Sequence, residues 1–153
     1  MKLTSTAFKD NEDIPSKYTC DGENINPELK IENVPKNAES LVLIMDDPDI
    51  PDFVKEKFGI DVYDHWVVFN ISPTTYLIGE DTEPSGIDGK NSSGKIGYTG
   101  PCPPDREHRY FFKLYALDIK LNLPEGSIKK EIEIAMKNHI IEKTELIGKY
   151  KRK

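Results

Sequence analysis

Apolar residues in this chain recur mainly at every second position, in short runs broken by proline, glycine, asparagine and aspartate. That is the pattern of β-strands separated by turns. The clearest run is 108–117, where Tyr110, Phe112, Leu114 and Ala116 share one face and His108 opens it. Leu41 to Met45 is continuously apolar, which predicts a strand buried on both faces. It stops at Asp46-Asp47-Pro48-Asp49-Ile50-Pro51, so carboxylates and prolines sit at its mouth. Over 64–71 the alternation predicts Val67, Phe69 and Ile71 on one face with His65 opening it, and Trp66 on the other, toward a second layer or an interface. Shorter strands are predicted at Leu3–Phe8, up to Ile31, and at Leu146–Tyr150. Asp10–Asp13 reads as a turn and Pro15–Gly22 as a loop. Helical spacing appears over Asp52–Asp61, with Gly59 as its end. It appears again after Ser127 as N-cap, where Ile128, Ile132, Ala135, Met136 and His139 form a stripe running to about Lys143 and packing His139 on the body of the protein. Glu80–Gly97 is long, polar and glycine-rich, the mark of a functional or mobile loop. Together these elements predict one mostly β domain over 1–153, a sandwich or an open barrel.

Composition narrows the function classes. A chain of 153 residues with 37% hydrophobic and 31% charged residues has the make-up of a folded globular domain. A net charge of −6 argues against a nucleic-acid surface, and the basic ending Lys149–Lys153 reads as a solvated terminus. No run is apolar enough for a transmembrane segment and the N-terminus lacks a signal core, so a cytoplasmic location is expected. Cys20 and Cys102 have no metal-ligand spacing. They read as reduced thiols, or as a bridge in a hyperthermophile host.

The chemistry converges at the strand mouths. If the 41–45 strand runs antiparallel to those beginning at His65 and His108, then Asp47, His65 and His108 meet at one sheet edge, with Tyr110 one pleat inward. The proline-stiffened segment 101–104 forms a rim, and Arg106 and Arg109, two of the chain's three arginines, flank His108. A carboxylate beside imidazoles favours their cationic form. Two imidazolium rings, a tyrosine hydroxyl and loop N–H groups make a socket for a small anion such as phosphate, whose binding is expected to weaken above neutral pH. The residues leave other readings open. Asp47, Asp49, His65 and His108 number enough for a metal site but lack a ligand-spacing motif. A histidine oriented by Asp47 suits a hydrolase, with no nucleophile motif beside it. Buried histidines satisfied internally would need no ligand at all.

The motifs Asp47-Pro48-Asp49 … Asp64-His65-Trp66 and Gly100-Pro101-Cys102-Pro103-Pro104 … His108-Arg109-Tyr110 resemble the phosphatidylethanolamine-binding protein family, which includes the Raf kinase inhibitor proteins. The likeness is to its compact bacterial and archaeal branch, the YbhB/YbcL type, and covers essentially the whole chain. The resemblance implies a β-sandwich with a large central antiparallel sheet, a smaller sheet and peripheral helices. It implies an anion pocket lined by Asp47, His65, Pro103, Pro104, His108 and Tyr110, with Asp49, Gly100, Pro101 and Arg109 at its rim. It further implies a non-enzymatic regulatory or inhibitory protein without cofactor, binding phosphate or a phosphorylated small molecule. A kinase or serine protease is the implied protein partner and a homodimer the implied assembly, with serine-protease inhibition through the 80–97 loop, or hydrolysis, as alternative activities. Two departures stand out: Ile50 replaces a usual alanine, and the 51–64 segment is longer than in many relatives and suited to form a lid.

Overall fold

The strand β4 (Ser40–Asp47) is the axis of the fold, and all eight of its residues are buried. The computed structural model describes residues 1–153. Around β4 lie β1 (Lys2–Thr4), β2 (Glu12–Asp13), β3 (Leu29–Glu32), α1 (Asp52–Phe58), β5 (Tyr63–Ile71), β6 (Leu77–Ile78), β7 (Ile87–Asp88), β8 (His108–Leu117), α2 (Lys129–Met136) and β9 (Ile140–Tyr150). The large sheet has the order β2-β9-β8-β4-β5-β7 and the small one β1-β3-β6. Every pairing is antiparallel except the short parallel contact of β2 with β9.

Alternation along β4 splits the interior in two. Leu41, Leu43 and Met45 join Tyr110, Phe112, Leu114 and Ala116 of β8 in the core between the sheets. Val42 and Ile44 face the other way, into a smaller cluster that Ile132 and Met136 of α2 cover. The result is a β-sandwich with one helix laid on its outer face, and no helix is long and apolar enough to cross a membrane.

Several expectations are corrected. The first strand is only Lys2–Thr4, and a 3-10 turn at Ser16–Tyr18 lies within the segment read as loop. The second helix ends at Met136, with Ile128 and not Ser127 at its N-cap, where the Ile128 N–H donates to Glu131 Oε1 at 3.0 Å. Asn138 then takes a positive φ of 68°, and residues from Ile140 onward pair along β8 as strand. His139 is therefore not packed on the body; it lies in the turn, half-exposed, with Nδ1 2.8 Å from Asp118 Oδ1. Trp66 does face away from Val67, as expected: it is fully buried in the core between the two sheets. Of the two states left open for Cys20 and Cys102, the structure has the bridge, with Cα atoms 5.4 Å apart across 82 positions of sequence.

The 80–97 segment is stitched down. Its β7 pairs with β5, and Lys90 bridges Ile96 and Ile128. Asn91, nearly fully buried, donates from Nδ2 to Gly97 O and Thr99 Oγ1, both at 3.1 Å, and its Oδ1 accepts from Ser93.

Candidate functional site

β4 runs antiparallel to both β5 and β8, so its C-terminal end lies beside the N-terminal ends of the other two. Asp47 follows Leu41, Leu43 and Met45 onto the inner face, and His108 and Tyr110 precede Phe112 on the same face of β8. Plain alternation accounts for these three side chains.

His65 arrives differently. Met45 pairs with Trp66 and Asp46 with Asp64, so His65 is the additional residue of a β-bulge. Two consecutive side chains, His65 and Trp66, thereby turn inward. The His65 ring sits 5.3 Å from that of Tyr110. A second irregularity follows at Asn70, whose φ is 54°, between the pairs Leu41–Ile71 and Leu43–Val68. It returns Ile71 to the inner core while Val67 and Phe69 stay under α2. The expected shared face of His65, Val67, Phe69 and Ile71 is thus broken at both ends.

The convergent residues line a cavity of about 270 Å³, just under the usual range of small-molecule sites. Asp47, His65, Gly100, Pro103, Pro104, His108 and Tyr110 all contribute to its wall. The outer part is apolar, formed by Ile50, Phe53, Val54, Phe58 and Tyr63, with Lys57 the cation at the mouth. Three anticipated rim residues do not line it. Asp49 and Arg109 turn to each other outside, with Nε–Oδ2 and Nη2–Oδ1 both 2.9 Å, and the guanidinium holds the Asp49 carboxyl below its usual range. Pro101 is buried, its carbonyl accepting the Cys20 N–H at 3.1 Å. Gly100 has no alternative as a residue, because a Cβ there would lie 2.3 Å from Tyr18 O and 2.4 Å from Asn24 Oδ1.

The two histidines are held in opposite states. His65 Nδ1 lies 2.7 Å from Thr99 O, so it carries the proton and donates, leaving Nε2 as an acceptor. Burial pushes the His65 pKa down, against the Thr99 bond and the nearby Asp47. His108 is wholly buried between two carboxylates: Nδ1 is 2.7 Å from Asp47 Oδ2 and Nε2 is 2.6 Å from Asp105 Oδ1. Burial opposes its charge, but the bonds to Asp47 and Asp105 prevail and its pKa is raised. Both ring nitrogens donate, so His108 is an imidazolium. The socket therefore contains one cationic ring, where the sequence suggested two.

These shifts fix a pH signature. The folded-state pKa of His108 lies above its unfolded value of about 6.5, so its stabilisation is complete below that pH and is lost as pH rises through the folded value. His65 is the reverse: its burial as a neutral ring destabilises the fold increasingly as pH falls below about 6.5. An NMR titration of the ring resonances is expected to show His65 titrating on the acid side and His108 on the alkaline side. Titration of both on one side contradicts this assignment.

Asp105 and Thr99, the partners of His108 and His65, and the pocket-wall residues Phe53, Val54, Phe58 and Tyr63 are site residues that the sequence did not reveal. For Asp105 the one hint is its position three residues before His108, and the loop conformation decides the contact. Tyr110 is the remaining polar group: its hydroxyl is buried without a hydrogen-bond partner, and burial raises its pKa. The site thus offers a free donor at the Tyr110 hydroxyl, a cationic ring at His108 whose two N–H groups are held by Asp47 and Asp105, and acceptors at His65 Nε2 and Asp47.

Comparison with known proteins follows the same outline. The sequence profile of the family "Phosphatidylethanolamine-binding protein" matches residues 4–151. A UPF0098 protein of Chlamydia trachomatis is 45% identical over 152 residues, and one of Methanothermobacter thermautotrophicus 46% over 158, each pairing covering 99% of both chains. Among solved structures, a phosphatidylethanolamine-binding protein homolog from C. trachomatis superposes with a TM-score of 0.94 at 44% identity, covering 99% of this chain and 97% of that one. YbcL of E. coli, a member of the mammalian PEBP family, gives 0.87 at 27% identity, covering 99% and 98%.

Proposed function

The chain belongs to the phosphatidylethanolamine-binding protein family, and from that premise we propose that its pocket binds a small anion, phosphate or a phosphorylated headgroup, in a regulatory or inhibitory and non-catalytic role. The observation that carries this reading is the pairing of a buried imidazolium with a buried, unpartnered tyrosine hydroxyl in one cavity. A buried donor without a partner is costly, and an oxyanion satisfies the Tyr110 hydroxyl while lying against the charge of the imidazolium. His65 Nε2 and Asp47 suit the protonated oxygen of a hydrogenphosphate or the ammonium of phosphoethanolamine. The apolar outer wall and Lys57 suit a phosphomonoester with a short organic body entering phosphate first.

Calorimetric titration with inorganic phosphate and with phosphoethanolamine tests the reading. His108→Ala is expected to weaken phosphate binding by about 1–3 kcal/mol, the worth of a charge-assisted hydrogen bond. His65→Ala, which removes an acceptor, is expected to reduce affinity for phosphoethanolamine more than for phosphate. Binding falls as pH rises through the raised pKa of His108, since only that ring carries the charge. Saturable binding of neither compound to the wild type would overturn the proposal.

A further inference from the structure

The Asp105 carboxylate stands on His108 Nε2, the nitrogen through which a bound oxyanion would be held. We propose that Asp105 is a tethered internal anion that selects for phosphomonoesters over carboxylates: it occupies His108 in the free protein, an incoming oxyanion replaces it, and a neighbouring cationic groove receives the released side chain. This rests on the reading of the pocket as an anion site.

The two carboxylates on His108 are not equivalent. Asp47 is buried on a central strand, and its Oδ1 also accepts the Asp49 N–H at 2.7 Å. Asp105 lies in the loop before β8 with its side chain 32% exposed, and its Oδ2 is already 3.7 Å from Arg106 Nε. Beside it runs a groove lined by Pro103, Pro104, Asp105, Arg106, Lys151 and Arg152. Pro103 and Pro104 form the wall shared by that groove and the pocket. A rotation of the Asp105 side chain thus moves the carboxylate from an imidazolium to a cluster of three cations. Arg152 also holds Asp21, at 2.9 Å, which anchors the cluster to the body of the protein.

Selectivity follows from what Asp105 is. With Asp47 and Asp105 around one imidazolium, the inner site carries a formal charge of −1 before any ligand arrives. A tethered group acts at an effective concentration on the order of millimolar or higher. A free monocarboxylate brings the same chemical group as Asp105 and must compete with it while losing its own freedom of motion. A phosphate dianion brings twice the charge and further oxygens, one of which can accept from Tyr110. It displaces the tethered carboxylate where acetate does not.

The test titrates wild type, Asp105→Ala and Asp105→Asn with inorganic phosphate and with acetate. Asp105→Ala is expected to bind acetate at least about tenfold more tightly than wild type, from loss of the tethered competitor. Phosphate affinity rises less, so the preference for phosphate narrows, with Asp105→Asn between the two. Arg106→Gln weakens phosphate binding in the wild type and leaves it unchanged in the Asp105→Ala background, because the groove acts only by receiving Asp105. In the free protein the His108 ring resonances shift in Asp105→Ala, a readout independent of any ligand. If Asp105→Ala leaves both affinities at wild-type values while His108→Ala loses phosphate binding, the pocket reading stands and the tethered-anion inference falls. If neither wild type nor Asp105→Ala binds phosphate or acetate, both fall. An unshifted His108 resonance in Asp105→Ala also overturns the inference.

Discussion

Replacing Cys20 and Cys102 together with serine is expected to lower the unfolding free energy by about 4 kcal/mol, the chain-entropy cost of releasing a closed loop of this size. The bridge spans 82 positions, so it ties the segment after the 3-10 turn to the proline loop at the pocket and removes many open conformations from the unfolded chain. For a chain of this length such a loss corresponds to a fall in melting temperature of roughly 10 °C. The effect also has a local side, because Cys102 lines the pocket and the next residues are Pro103, Pro104 and Asp105. The loop is fastened there by weaker links as well: Cys20 N–H to Pro101 O at 3.1 Å, Gly100 N–H to Asn24 Oδ1 at 2.8 Å, and the Tyr98 hydroxyl to Tyr18 O at 2.7 Å. Urea melts of the oxidised protein and the double-serine variant decide between them. A difference below about 1 kcal/mol, the net worth of a single hydrogen bond, would show that these bonds hold the loop and that the bridge adds little.

What could be read from the sequence follows from which interactions are local. β4 and β8 carry uninterrupted patterns, so burial, facing and the approach of Asp47 to His108 follow from period two and one antiparallel pairing. Alternation puts His65 on the right strand but on the wrong face. Its inward turn depends on a register slip between Met45 and Asp46 on a neighbouring strand, and no property of residues 64–71 specifies it. Asn70 carried a weak signal, since asparagine tolerates positive φ, and its side chain is satisfied by the Leu121 backbone 51 residues away. The stripe from Ile128 to His139 fits a helix, yet Ile140, Ile141 and Thr144 favour strand, and pairing with β8 settles the boundary. The length of the 51–64 segment suits a lid. The structure gives α1 no buried residue and sets Phe53, Val54 and Phe58 on the pocket wall. With none of its residues buried, the helix is held by the packing of Phe58 on Tyr63, ring centroids 5.6 Å apart, and by its ends: Asp52 in the first turn and Gly59 in the left-handed conformation at the C-terminus.

Asp47→Ala is expected to destabilise the fold by about 3–5 kcal/mol at pH 7, the penalty for breaking a buried ion pair from one side. The size comes from what is left behind. His108 is fully buried, and without Asp47 its Nδ1–H has no acceptor, so the ring must shed its proton or keep a charge that Asp105 alone balances from the loop. The Asp49 N–H loses its partner as well, which loosens the turn that aims Asp49 at Arg109. Asp47→Asn separates these terms. An asparagine oxygen can still accept one of the two bonds, so the turn or the ring stays satisfied while the charge is gone, and the loss should be about half. pH adds a second discrimination. The wild-type advantage over Asp47→Ala is fully present below the unfolded histidine pKa of about 6.5 and shrinks as pH rises through the raised pKa of His108, because the neutral ring no longer needs the carboxylate. Denaturant melts of the three proteins at mildly acidic and mildly alkaline pH measure this directly. A gap between wild type and Asp47→Ala that is equal at both pH values would mean that Asp47 acts only as a hydrogen-bond acceptor for the turn. In that case the imidazolium would be held by Asp105, and the internal-anion arrangement would be a structural pair with no freedom to exchange.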